Sequence, residues 1–246
     1  MPIRLLRNFK TTAVLTLGLV GPAFGFFAGN HDCGMIGDGG YGPFDYRTHE
    51  PADIRRVERA HFPIHVENLT RGQSTAFPAG DIDYILRAFP NHHRALLAMA
   101  NAEFKFKADP PPGARYAVQC WYERAILFRP DDSKAYMLYG IYLLRKNRVQ
   151  EAIKVLEKGN SIGGRDANSY YNLGLAYFTV KDYDKALASA HEAYRMGFPL
   201  PGLRDKLKRV GKWVDLPPVE SAPAQKPAEA AGAPDTAPAE SAEPGK

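Results

Sequence analysis

The chain has 246 residues, 45% hydrophobic and 24% charged, and a formal net charge of +5. Arg4, Arg7 and Lys10 contribute +3 and the acidic segment from Pro217 contributes −3, which leaves +5 on a body of about 190 residues, enough for one helical domain. So mild a balance suits solubility or weak attraction to acidic surfaces and, with no aromatic-basic recognition motif, excludes nucleic acid as the expected partner.

The three N-terminal cations precede an uncharged stretch, Thr11–Ala28, rich in Leu, Val, Gly and Phe. Residues 1–25 therefore read as a signal segment, with Ala23-Phe24-Gly25 offering small residues for cleavage. Gly18, Gly21 and Pro22 make a poor long helix, but an uncleaved anchor is the alternative, because about 18 apolar residues approach a bilayer span. The expected location is periplasmic or exported, or the inner membrane if the leader stays. Membrane association is expected only through that leader. Cys33 lacks a preceding Leu-Ala-Gly sequence, which argues against lipidation.

Residues 26–90 read as an arm with helical segments. Gly34–Tyr46 is glycine-rich, but no strand precedes it and no Gly-Lys-Ser/Thr follows, so it is not a phosphate cradle. It reads as an irregular segment whose Tyr41, Phe44 and Tyr46 pack on helices. Asp53–His61 has Ile54, Val57 and Ala60 on one side and ends before Pro63. Val66–Leu69 forms a further turn, and Asp81–Phe89 forms a helix ended by Pro90. These segments predict a degenerate helical pair ahead of residue 91. His61 and His65 stand four apart, yet Pro63 separates them and no Glu follows His61 as a zinc-protease helix requires. His92 and His93 point about 100° apart on a helix and flank its start. Asp81 and Asp83 read as helix-start residues. No Gly-x-Ser-x-Gly is present. We expect no catalytic set, no metal site and no cofactor.

From residue 91 the chain repeats. Ala135–Leu144 and Ser169–Phe178 align with an offset of 34 residues, with Gly140 matching Gly174 and, twelve residues on, Ala152 matching Ala186. A period of this size marks stacked supersecondary units. Ala152, Val155, Leu156 and Gly159 fall at helical spacing, as do Ala186, Leu187, Ala190 and Ala193. Tyr136, Gly140, Ala152 and Leu156 in one copy, with Tyr170, Leu173, Gly174, Tyr177, Tyr183, Ala186, Ala193 and Pro199 in the next, resemble the tetratricopeptide repeat. An earlier copy is visible in 120–130, closed by Pro130, with its first helix at 93–107 and about six extra residues within Ala108–Ala114. Gly159 and Gly163-Gly164 depart from the usual alanine and closing proline. The resemblance implies an all-α, right-handed array of three units over 93–200 within a domain at 91–212. Leu203, Leu207 and Val210 mark a capping helix at 201–211 whose basic face, Arg204, Lys206, Lys208 and Arg209, reads as solvated. Residues 213–246, rich in Pro, Ala and Glu, read as a disordered tail. The N-terminal stretch resembles that of uncharacterised bacterial exported proteins with these repeats, which implies no activity.

The resemblance places a groove along the first helices of the units. Its lining would be Arg94, Leu97, Asn101 and Phe104; then Lys134, Met137, Ile141 and Leu144; then Asn168, Tyr171, Leu175 and Phe178. Leu97, Met137 and Tyr171 stand where the pocket for acidic peptide C-termini carries lysine and asparagine, which disfavours that partner. An apolar lining suits an amphipathic helix. It also suits residues 50–90 of the chain itself, and Phe62, Leu69 and Phe77 are expected to be buried there. Two cysteines in an exported chain invite a Cys33–Cys120 disulfide, the alternative being a buried free Cys120 and an exposed Cys33. The expected function is a non-enzymatic adaptor or scaffold of the bacterial cell envelope that holds a protein partner. The alternatives are a metal-handling or enzyme-accessory role for residues 30–65, and a basic face that touches acidic lipid or glycan.

Overall fold

The structure is a computed structural model that describes residues 33–37, 39–163 and 166–215. The expected signal segment and nearly all of the expected tail lie outside the described residues. Among the described residues ten helices follow one another: α1 Pro51–His61, α2 Ile64–Glu67, α3 Pro78–Ala88, α4 His93–Phe106, α5 Val118–Phe128, α6 Ser133–Arg145, α7 Val149–Ser161, α8 Ala167–Thr179, α9 Tyr183–Arg195 and α10 Gly202–Arg209. Among the described residues there is no strand, and no helix is long and apolar enough to cross a membrane. Val214–Lys246 forms a unit of its own, of which Val214 and Asp215 are described.

Local chemistry sets the helix ends. Asp132, Asp166 and Asp182 accept backbone N–H bonds from Ala135, from Asn168 and Ser169, and from Lys185, so α6, α8 and α9 each start on a carboxylate. At the other end, α6 closes with Asn147 N–H on Leu144 and Arg148 N–H on Leu143, and α8 repeats the pattern with Lys181 and Asp182. These are Schellman closures, and Asn147 and Lys181 take the left-handed conformation that such a closure requires.

The helices pair as antiparallel hairpins of tetratricopeptide type, α6 with α7 and α8 with α9, with α4 and α5 as a looser first pair. Small residues permit the close approach. A Cβ on Gly140 would lie 2.4 Å from Leu156 Cγ on α7, and one on Gly159 would lie 2.8 Å from Tyr136 Cβ on α6. The glycine in place of alanine at 159 therefore lets the last turn of α7 reach α6. Successive first helices run parallel. His93 bonds Asp132 at one end of the α4–α6 contact, and Tyr142 bonds Glu103 at the other. α10 continues the stack along α8, with Leu203 against Gly174 and Lys206 over the Phe178 ring. Trp213 packs edge-on to His191 and Tyr194, so the packed body extends through residue 213.

Residues 51–88 do not fill the groove. α1 and α2 pack on α3, and α2 and α3 on α4, which adds a further helical layer in front of the first unit. Phe62, Val66 and Leu69 are buried in that layer. Phe77, expected to be buried, is 49% exposed because it sits on the turn leading into α3. The physical reason is continuity: α4 presents an apolar flank (Ala95, Leu96, Met99) that needs a neighbour, and α1–α3 supply it.

The segment 33–49 crosses several helices and is fixed at both ends. Cys33 and Cys120 form a disulfide with Cα atoms 5.1 Å apart. Arg124, fully enclosed between the Tyr116 and Trp121 rings, donates to the carbonyls of Cys33 and Met35 at 2.8 Å each. Further on, Phe44 N–H bonds Ala88 and Tyr46 N–H bonds the Asn91 side chain. Tyr41, Phe44 and Tyr46 pack against the core.

Candidate functional site

The parallel first helices leave a groove between α6 and α8. An open cavity of about 390 Å³ is lined by Ile141 and Leu144 of α6, Leu175 and Phe178 of α8, and polar neighbours at its margin. All four apolar side chains are half-buried, which means that each still presents carbon to solvent after folding. Period 3.6 explains the set: Ile141 and Leu144, like Leu175 and Phe178, are three apart and share a helix face. Two cations flank this floor. Arg145 lies 3.8 Å over the Phe104 ring and donates to Asn101 Oδ1 at 2.7 Å. Lys206, contributed by α10, lies 5.7 Å over the Phe178 ring.

The other expected groove residues have different surroundings. Met137 is buried, although it lies on the same face of α6 as Ile141 and Leu144. Tyr171 stacks on Phe198 at 4.1 Å beneath the start of α10. Arg94 is tied to Glu67 of α2 and to Glu58 of α1, so it closes the groove's first end. Leu97 is 42% exposed, and Lys134 and Asn168 lie exposed at the helix starts. Sequence reasoning missed Arg145, Asn172 and Lys206. The place of Lys206 depends on how α10 docks, which no repeat position encodes. Arg145 follows Leu144 directly and was within reach of the repeat pattern.

A second recess of about 360 Å³ lies at the α4 end, lined by Glu103, Phe104, Lys107, Asp109 and Lys146 among others. Its buried Glu103 accepts from Tyr142 Oη at 2.9 Å and pairs with Lys146. Burial and the Glu103 carboxylate hold the Tyr142 phenol well above its ordinary range, so it stays protonated as a donor. The recess is thus a satisfied polar contact.

Of the histidines that invited a metal reading, His61, His92 and His93 are each engaged separately, whereas His65 Nε2 is buried with no hydrogen-bond partner among the described residues. His61 Nδ1 faces Asp81 at 3.1 Å, and Asp81 also accepts the backbone N–H groups of Gln73, Ser74 and Thr75. Burial pushes the Asp81 carboxyl up, but those donors together bring it below its usual value. Asp83 bonds Arg87 and the Arg115 backbone away from the α3 N-terminus, whereas Asp81 lies in the first turn of α3, as expected of a helix-start residue. His92 caps α4 through Nδ1 and meets Glu58 through Nε2, and burial holds it below the ordinary histidine value. His93 meets Asp132. Asn91 links Asp132 to Asp45, which Arg47 and Arg129 also bind. Among the described residues one cluster brings together three side chains of metal-ligand type, Cys33, Cys120 and Glu123, and its two sulfurs are bonded to each other.

No family model matches the chain, and neither does any curated protein. Two crystal structures of MamA are similar to it. One shows 18% identity and a TM-score of 0.40 over 67% of this chain and 93% of that one. The other shows 20% identity and a TM-score of 0.38 over 55% of this chain and 79% of that one.

Proposed function

We propose that this protein is a non-enzymatic interaction scaffold exported to the bacterial cell envelope, holding a segment of a partner protein in the α6–α8 groove. The carrying observation is the floor of Ile141, Leu144, Leu175 and Phe178, which folding leaves half-exposed between two flanking cations. Contiguous exposed apolar surface rimmed by polar groups is the mark of an interaction site. A helix with an apolar stripe at i, i+3, i+4 and an acidic flank matches that floor and rim. The N-terminal basic and apolar segments support export.

Photo-crosslinking in intact cells tests this reading. A crosslinking residue at Leu175 is expected to give a discrete protein adduct that disappears with Leu144→Glu, while the same residue at exposed Lys158 on α7 gives none. Equal adducts from both positions, or none from Leu175, would overturn it.

A further inference from the structure

Because α4, α6, α8 and α10 run parallel, their C-terminal ends fall along one margin of the array. Each end turns through a left-handed residue, Lys107, Asn147, Lys181 and Gly211 in order. The side chains of Lys107, Lys181, Lys208, Arg209 and Lys212 are exposed there and make no hydrogen bond or ion pair among the described residues. Arg145 and Lys146 stand between them at the end of α6, held by Asn101 and Glu103. The carboxylates nearby are mostly engaged. Glu103 is buried, Asp109 accepts the Val118 N–H, and Asp182 caps α9. Asp184 is exposed, as is Asp215, three residues beyond Lys212.

The opposite margin differs. There Asp45, Asp131 and Asp132 are bound by Arg47, Arg129 and His93 into a network in which the charges offset one another.

Helix dipoles account for a cation at each C-terminus, but one would suffice, and they do not account for three free cations after Lys206. We propose that this lysine-rich margin rests on an anionic lipid surface. The cations do not converge on one point, so a small anion would touch one or two of them. They are strung over three helix spacings, roughly 25–30 Å, which fits an extended planar array of negative charge. Four of the five free cations are lysines, point charges that tolerate mobile headgroups. A site built for fixed bidentate phosphate recognition favours arginine. Among the described residues no fully exposed ring accompanies them as a stacking platform for single-stranded nucleic acid, and Val210, with Val214 two residues beyond Lys212, is an exposed apolar side chain.

The test is flotation of the full chain with vesicles. Phosphatidylglycerol-containing vesicles are expected to carry it at low salt, and pure phosphatidylcholine vesicles to carry less. Any contribution of the apolar N-terminal segment is common to every variant. Lys181→Gln/Lys208→Gln/Lys212→Gln is expected to weaken the anionic-vesicle component roughly hundredfold, at about fivefold per lysine. Arg55→Gln/Lys154→Gln/Lys158→Gln, which changes net charge equally on α1 and α7, is expected to leave it within about twofold if position rather than total charge decides. Far-UV circular dichroism of each variant guards against loss of fold. Equal binding to both lipids, or equal loss in both triple variants, would overturn the proposal. So would tighter binding to single-stranded DNA, lost with the same margin lysines. The outcome is independent of groove crosslinking, since neither set of substitutions touches the groove floor.

Discussion

Replacing Gly140 with alanine is expected to destabilise the array, whereas the same change at Gly174 is expected to be nearly neutral. Both glycines lie inside helices, where alanine by itself gains about 1 kcal/mol. At Gly140 the new Cβ would meet Leu156 Cγ at 2.4 Å and Cδ2 at 2.6 Å, about 1 Å short of ordinary contact. Cγ is the branch carbon, so turning the isopropyl group does not move it away. Leu156 is also fully buried, so α7 itself must shift. Overpacking of that kind costs about 2–3 kcal/mol, leaving a net loss of about 1–2. At Gly174 the close contact is the tip of Leu203, Cδ2 at 2.4 Å, and the next atoms stand at 3.3 Å. Rotating that tip, or a small movement of the terminal α10, relieves it, and the net effect is expected within about 0.5 kcal/mol of zero. Urea denaturation followed by circular dichroism measures both, with unchanged slopes as the check that the same transition is compared. In a Leu156→Ala background the Gly140→Ala change is expected to become neutral or stabilising, which isolates the contact. A Gly140→Ala protein as stable as the parent, with no coupling to position 156, would refute the close approach of α6 and α7.

Denatured, unreduced protein is expected to show no free thiol, and Cys33→Ser/Cys120→Ser is expected to lower stability by at most ~4–5 kcal/mol for a closed loop of this size. The loss should be smaller because Arg124 and the Asn91 network still hold the segment, and two reactive thiols in the parent would contradict the bridge. Stability is expected to fall in two stages on acidification. His92 is held below its ordinary value, chiefly by burial, so the unfolded chain takes up a proton that the folded one refuses as pH drops below about 6.5. Burial raises Asp45 and Asp132, but hydrogen bonds from Arg47 and Asn91, and from His93, bring them below the usual range; their contribution is present above about pH 4 and lost beneath it. Melting temperatures between pH 3 and 8 check this, and His92→Asn, which keeps a capping side chain, should remove the shallow upper stage. N-terminal sequencing of protein from the envelope is expected to begin between Phe26 and Gly29. Intact Met1–Lys10 on soluble cytoplasmic protein would contradict export.

The repeat was legible in the sequence because it depends on local and nearest-neighbour physics. A glycine or alanine at a fixed place is required wherever two helices of one unit touch, so Gly140, Gly174, Ala152 and Ala186 announce themselves through spacing alone. The helix that caps the array was equally readable from Leu203 and Leu207. The pairing of Cys33 with Cys120 was accessible too, because two cysteines leave one intramolecular partner each. What lies between layers was not legible. The apolar residues of 51–88 required burial, but their sequence does not distinguish a groove filling from an added layer, and Phe77 was misplaced because it falls on the turn into α3. Met137 followed the repeat pattern to the face it shares with Ile141 and Leu144, yet it is buried where they stay half-exposed. Lys206 reached the groove rim, and Lys107, Lys181 and Lys208 came to share one margin, only because successive first helices stack in parallel. Spacing along the chain records which residues face the same side of one helix; which helices then lie side by side is decided by packing between them.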